Sequence, residues 1–379
     1  MRIVVYFVFY YLFLFYYASN LNIGDLEVDY LSHNYPITYI QDIFFYLFGK
    51  SNFILRLPSL ILSMVSICLY YQISKKYLKQ QQDIYFSVVI FSLMPGFIIA
   101  SLLFNKSIYI IFLVLLFIYS FFYYRFYSYI LLFLYTITDY SFISLYIGLI
   151  FYSIYKKDSK FLVYSIFLFG INANYFNYEI KGHPVGHLID VLGVYFAIFS
   201  PFVFLYFIYS LLKIKKPTLL WFISSWGLLF SIILSFRQKI KIDDYAPFVI
   251  IAVVFMINIF FSDYRIRLKV FRKPYKLLFL FLLSSLILFD CLILVSKKFL
   301  DLKIVNQFKY SKEIVIHLKQ KNIDKVFCNN QMFCKKLYFY GLKKGKIFYI
   351  KWEKKDKKVS ISHNHKKLYS FYVSKLNKN

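Results

Sequence analysis

The sequence predicts an all-α polytopic membrane protein, with about eleven transmembrane helices and a small C-terminal extracytoplasmic α/β domain, and three observations predict it. Hydrophobic residues fill 60% of the 379 positions, against the ~45–50% of ordinary soluble domains. They collect in blocks of roughly 16–22 residues, about what a helix needs to cross a ~30 Å hydrocarbon layer. Lys and Arg are sorted between alternate connections, as the positive-inside rule requires. Phe (47) and Tyr (39) are abundant while Gly (11) is scarce. That bias suits lipid contact and genome composition alike, so no aromatic cluster is read as a site.

In chain order the blocks fall near 3–18, 57–74, 83–103, 107–124, 126–138, 141–155, 161–172, 189–212, 218–236, 245–262 and 277–296. Those between 126 and 172 are the weakest, because all three are shorter than the ~17 residues of a minimal span, and nine or ten spans are the alternative counts. The first block has one basic residue before it, Arg2, and no A-x-A site. It is read as an uncleaved anchor, with a signal peptide cut after Ala18–Ser19 as the alternative.

Placing Arg2 inside makes Lys75–Lys79, Arg125, Lys156–Lys160, Lys213–Lys216 and Arg265–Lys276 cytoplasmic. About 17 basic residues then lie on that face against about 7 on the other. This topology sends the loops at 19–56, 104–106, 139–140, 173–188 and 237–244 outward, with the tail. The domains are therefore 1–296, transmembrane with a first outer loop at 19–56, and 297–379, the extracytoplasmic tail. In the tail, Ser311–Lys321 and Gln331–Tyr340 read as helices, and Val326–Cys328, Lys346–Trp352, Lys358–Ser362 and Leu368–Val373 as strands. A lid or docking surface is the expected use of such a domain.

The formal charge of +28 lies mostly in loops and tail beside membrane spans, so its nearer anion is lipid rather than nucleic acid. No helix-turn-helix, zinc-finger or RNA-binding signature accompanies it. Of four cysteines, Cys68 and Cys291 lie in spans. Cys328 and Cys334 are spaced to close a small disulfide loop outside the cytoplasm, or stand as free thiols.

Chemistry is sought where polar residues crowd at a membrane face. The first outer loop holds Asp25, Glu27, Asp29, His33, Asp42, Lys50 and Arg56 in a segment too short for a separate domain. A plain solvated loop whose acids respect topology is the competing reading.

This loop resembles that of the membrane-embedded C-type glycosyltransferases, in the protein mannosyltransferase and aminoarabinose transferase branch that uses polyprenyl-phosphate sugars. An acidic pair after the first span precedes His33-Asn34-Tyr35-Pro36-Ile37-Thr38-Tyr39, where the family often has His-Pro-Pro-Leu-x-Tyr. Leu47-Phe48-Gly49-Lys50-Ser51 and Leu55-Arg56-Leu57-Pro58-Ser59 look like its Phe-Gly…Arg-Leu-Pro entry to the second span. Met94-Pro95-Gly96-Phe97, Ser200-Pro201-Phe202 and Arg237…Tyr245-Ala246-Pro247 extend the likeness over most of the first 262 residues. The family's adjacent Asp-Glu is here Asp25-Leu26-Glu27, so the matching carboxylate is Glu27 by preference and Asp25 second.

The resemblance implies transfer of a sugar from a polyprenyl-phosphate donor to a hydroxyl of an envelope glycan, lipid or protein on the periplasmic face of a bacterial inner membrane. A carboxylate in the first outer loop, Glu27 or Asp25, would be the general base. Arg56, Arg237, Lys239 and Lys241 would bind the donor phosphate, Tyr245 beside them, with His33 and Tyr39 positioning acceptor or loop. Arg56 reads equally as a snorkelling anchor. No metal ligands are assigned. A divalent metal is allowed, with His183 and His187 as ligands or as plain polar loop residues. Asp139 and Asp190 are further polar positions near the same face. The other classes weighed are a transporter, flippase or polymerase of lipid-linked glycans, and a non-catalytic scaffold. A transporter would show discontinuous helices and an internal repeat, and no repeat is evident.

Overall fold

Residues 2–32, 35–177, 186–295, 311–320, 323–328, 330–345, 348–353, 358–363 and 366–372 are described by a computed structural model. They divide into two compact units. One is Ser59–Val295. The other joins Arg2–Pro58, which the sequence groups with the membrane spans, to the chain from Ser296 onward.

The joined unit begins with α1 (Arg2–Asn20), α2 (Asp25–Ser32), α3 (Pro36–Phe48) and the start of α4 (Asn52–Tyr77). Pro36 opens α3 where a missing N–H costs nothing, and Gly49 ends it at φ 79°, a left-handed conformation that glycine adopts without strain. Pro58 sits inside α4 and cannot donate to the carbonyl four residues back, that of Ile54. Gln41 of α3 answers that orphan: its side-chain amide donates to the Ile54 carbonyl at 3.1 Å.

The Ser59–Val295 unit continues α4 with α5 (Gln81–Ser92), α6 (Pro95–Leu102), α7 (Lys106–Tyr123), α8 (Arg125–Tyr135), α9 (Phe142–Lys156) and α10 (Ser159–Tyr175). After them come α11 (Leu188–Phe199), α12 (Pro201–Lys213), α13 (Leu219–Ser235), α14 (Ala246–Ile250), α15 (Val253–Ile266) and α16 (Arg272–Val295). Side-chain caps start three of these helices: Asn105, Asp158 and Thr218 accept from the backbone of Ser107, Phe161 and Trp221.

Every expected span coincides with helix, but two are broken at proline. The α5–α6 pair bends by 57° before Pro95, and the α11–α12 pair by 102° before Pro201, with Ser200 at φ 64° between them. Gly96 permits the first bend to pack, since a Cβ there would lie 2.5 Å from Ile198 Cγ2. Among the described residues, five helices are long and apolar enough to cross a membrane, or seven spans if each bent pair is one. Helices α8, α9, α10 and α13 have 11, 15, 17 and 17 residues, each below the ~20 of a standard crossing.

The tail supplies α17 (Ser311–Gln320), β1 (Lys325–Cys328), α18 (Gln331–Phe339), β2 (Lys343–Lys344), β3 (Phe348–Glu353), β4 (Lys358–His363) and β5 (Lys366–Tyr372). The strand order is β2-β1-β3-β4-β5, with β1 parallel to both neighbours and the last three antiparallel. Ile314, Leu318, Val326, Phe333 and Leu337 form a buried core between helices and sheet. Cys328 and Cys334 are disulfide-bonded, joining the end of β1 to α18. The loop closed is short, which limits the chain-entropy gain to about 2 kcal/mol.

Candidate active site

Two acids of the first loop, Asp25 and Glu27, sit in the first turn of α2, and Glu27 caps it. Gly24 is the residue before the helix, and Glu27, three positions on, reaches back so that its Oε2 accepts the Gly24 N–H at 2.8 Å. This is one half of a capping box, and both Asp25 and Glu27 lie in the first turn, where the helix dipole favours negative charge.

Glu27 is also gripped by Arg56. The guanidinium Nε donates to Oε1 at 2.9 Å and Nη2 to Oε2 at 2.7 Å, a bidentate charge-assisted pair. Its remaining donors go to the carbonyls of Ala18, Leu21 and Asn22, at 3.0, 2.6 and 3.0 Å. All five guanidinium N–H groups are thus engaged, and Arg56 and Glu27 are 0% and 1% exposed. The sequence assigned these two residues separate roles, base and phosphate ligand. The structure joins them to one another and uses them to tie the end of α1 to α2 and α4.

Asp25 is placed differently. Its Oδ1 lies 2.7 Å from the ammonium of Lys336, and 22% of its side chain stays exposed while the lysine is 2% exposed. Burial pulls the Lys336 ammonium below its usual range, and Asp25 and Glu27 oppose that pull. Lys336 comes from α18, at the far end of the chain. Tyr340, just after α18, accepts the Ile23 N–H at 3.2 Å and donates to Asn52 Oδ1 at 2.9 Å. Phe339 meets Phe45 edge to face. Sequence reasoning missed Lys336, because nothing in a lysine-rich tail distinguishes one lysine from the rest.

Of the remaining candidates, Tyr39 is exposed on α3, and His33 lies outside the described residues, as does His183. Arg237, Lys239 and Lys241 are exposed in the Ser59–Val295 unit, and Tyr245 is buried beside Phe230. His187 is the residue before α11; its N–H donates to the Ser235 carbonyl, and its ring lies 3.5 Å from an exposed Asp190. No group of three or more His, Cys, Asp or Glu side chains among the described residues could hold a metal ion.

A second polar cluster, of which the sequence singled out Asp139 but not its partners, lies in the Ser59–Val295 unit. Lys106, at the start of α7, places Nζ 3.1 Å from Asp139 Oδ2 and 2.6 Å from Asp244 Oδ1, and all three side chains are nearly closed to solvent. Tyr140 donates to Asp244 Oδ2, and the Lys106 ammonium lies 4.2 Å from its ring centroid. Asp139 also accepts the Ser141 N–H, and Asn172 donates to the Thr136 and Asp139 carbonyls. Burial raises the Asp244 carboxyl above the usual carboxylate range, with Lys106 opposing.

Comparison with known proteins places this architecture. Residues 32–205 match the family profile of dolichyl-phosphate-mannose-protein mannosyltransferases. That segment holds Arg56, Pro58 and the bends at Pro95 and Pro201; Asp25 and Glu27 precede it, and Arg237–Tyr245 follow it. No curated protein sequence matches the chain as a relative. The crystal structure of apo ArnT from Cupriavidus metallidurans superposes with a TM-score of 0.50 at 11% identity, over 89% of this chain and 74% of that one. The likeness is one of fold. The resemblance of the chain to the membrane-embedded C-type glycosyltransferases thus rests on a match of residues 32–205 to the dolichyl-phosphate-mannose-protein mannosyltransferase profile and on a likeness of fold to ArnT.

Proposed function

We propose that the protein transfers a sugar from a polyprenyl phosphate to a hydroxyl of an envelope glycan, lipid or protein, with Asp25 as general base. The observation that carries this reading is the division between two neighbouring carboxylates. Glu27 has its oxygens taken by Arg56 and Gly24, whereas Asp25 is held from one side and stays part-exposed. A base needs a lone pair within reach of the proton that it takes. Glu27 then serves as the brace that sets the first turn of α2.

In the reaction the Asp25 carboxylate takes the acceptor hydroxyl proton as that oxygen attacks the anomeric carbon. The bond from that carbon to the donor phosphate oxygen breaks, and polyprenyl phosphate leaves with the electron pair. Protonated Asp25 returns its proton to solvent. The donor is already activated, so one carboxylate and cations for the leaving phosphate suffice. Arg237, Lys239 and Lys241 are exposed and suit that second part, whereas Arg56 has no donor left to offer it. The donor's prenyl chain needs only apolar walls, and a small cleft lined by Ile90, Val203, Val253, Met256, Leu283 and Leu286 supplies some.

The finer topology of this reading is eleven crossings in a bacterial inner membrane, with the first loop and tail periplasmic. It counts the short helices as crossings and follows the Lys/Arg balance. The transporter reading draws on the two bent spans and on Asp290, a buried carboxyl of α16 whose oxygens accept no hydrogen bond.

Mass spectrometry of envelope glycans and polyprenyl-phosphate lipids separates the two. Cells lacking the protein, and cells expressing Asp25→Asn at normal level, should lose one sugar and accumulate its lipid donor. An unchanged profile with Asp25→Asn removes Asp25 as base, and an unchanged profile in the deletion removes the transferase reading.

A further inference from the structure

We propose that Lys336, carried by the C-terminal elements, is a positioning residue for the Asp25 carboxylate, so that the transfer site is completed by the tail. The reaction is that of the reading above; the part played by Lys336 rests on geometry.

Helix α18 has two sides with different work. On one, Phe333 and Leu337 are fixed in the core of the tail, with Val326 of β1 and Leu318 of α17. Cys334 is bonded to Cys328, and Asn330 caps the first turn by accepting from Met332 and Phe333. The helix is therefore held in place independently of the first loop. On the other side, Lys336 reaches Asp25, Phe339 meets Phe45, and Tyr340 bonds Ile23 and Asn52. These contacts bracket the loop on both flanks of Asp25 and Glu27.

A lysine that only filled space would be a poor choice, because burying an ammonium is costly unless an anion meets it. The anion met here is the one acid of the pair that keeps solvent access. Lys336 approaches Oδ1, which fixes the rotation of the carboxyl while its exposed part faces outward. A base held in this way spends no time in unproductive rotamers, and small misplacements of reacting groups cost large factors in rate.

The test uses the full-length protein in lipid nanodiscs, with a polyprenyl-phosphate sugar as donor. Lys336→Met should lower kcat by about 10- to 100-fold with little change in donor KM, and Lys336→Arg should restore most of it. In an Asp25→Asn background, Lys336→Met should cost nothing further, since it acts only through Asp25. Hydrogen exchange gives a readout apart from activity: the amides of α2 should exchange faster in Lys336→Met and at the wild-type rate in Lys336→Arg. Wild-type kcat in Lys336→Met overturns the proposal, and so does an additive loss on top of Asp25→Asn. A wild type that transfers no sugar from any polyprenyl phosphate, with the exchange results as expected, would overturn the transferase reading and leave Lys336 as the residue that orders α2.

Discussion

Among the described residues, two buried ion-pair clusters solve the same electrostatic problem in opposite ways. In the unit formed by the two chain ends, two cations serve two carboxylates: Arg56 closes on Glu27 completely, and Lys336 holds Asp25 at one oxygen. In the Ser59–Val295 unit one lysine serves two carboxylates, and Tyr140 seals the second. The difference teaches that burial alone does not mark chemistry. Lys106, Asp139 and Asp244 are as buried as Arg56 and Glu27, yet every one is turned inward and together they pin the turns before α7, before α9 and before α14. What distinguishes Asp25 is an incomplete set of partners together with solvent access.

Substitutions can break that comparison. The largest effect is expected for Asp25→Asn, which should lower transfer per folded molecule by about 10²–10⁴-fold, well beyond what the stability lost by leaving Lys336 without its anion explains. If transfer instead falls only in proportion to folded protein, Asp25 belongs with the sealed carboxylates. Next comes Lys106→Met, which strands two carboxylates and should destabilise by about 3–5 kcal/mol in denaturant titration. Adding Asp139→Asn and Asp244→Asn should recover most of that loss, as uncharged groups need no cation.

Glu27→Gln leaves the Arg56 guanidinium buried without its anion, at a cost of about 3–5 kcal/mol, and activity should fall only in proportion to folded protein. A rate loss in fully folded Glu27→Gln would return the base role to Glu27. The smallest effect sharpens the helical frame: Gln41→Leu removes the partner of the carbonyl freed by Pro58 and should cost about 1–3 kcal/mol in the same titration.

Much of the frame is legible in the sequence, since apolar length, prolines and glycines act locally. Pro95 and Pro201 fall where helices bend, Gly49 falls where α3 stops, and the tail's helices and strands lie within a few residues of where period and turn residues put them. Span number is less legible, because four apolar blocks fold as helices shorter than a standard crossing, three of them in the stretch that the sequence already marks as weakest. The candidate site was legible in composition and not in pairing. Asp25 and Glu27 are singled out by their place after the first span. That Arg56 faces Glu27 depends on the turn between α1 and α2, and that Lys336 faces Asp25 depends on contacts made across nearly the whole chain. Neither spacing has a helical or strand period to betray it.

The joining of the chain's two ends has a consequence for biosynthesis. A ribosome delivers Asp25 long before Lys336, with the whole Ser59–Val295 unit made between them. The first loop therefore waits, without the lysine and tyrosine that hold it, until α18 and the residue after it have been made. A chain cut short before α18 keeps the apolar helices from α1 to α16 and lacks the ammonium that meets Asp25 and the phenol that meets Ile23 and Asn52, so its first loop is held by Arg56 alone of the three.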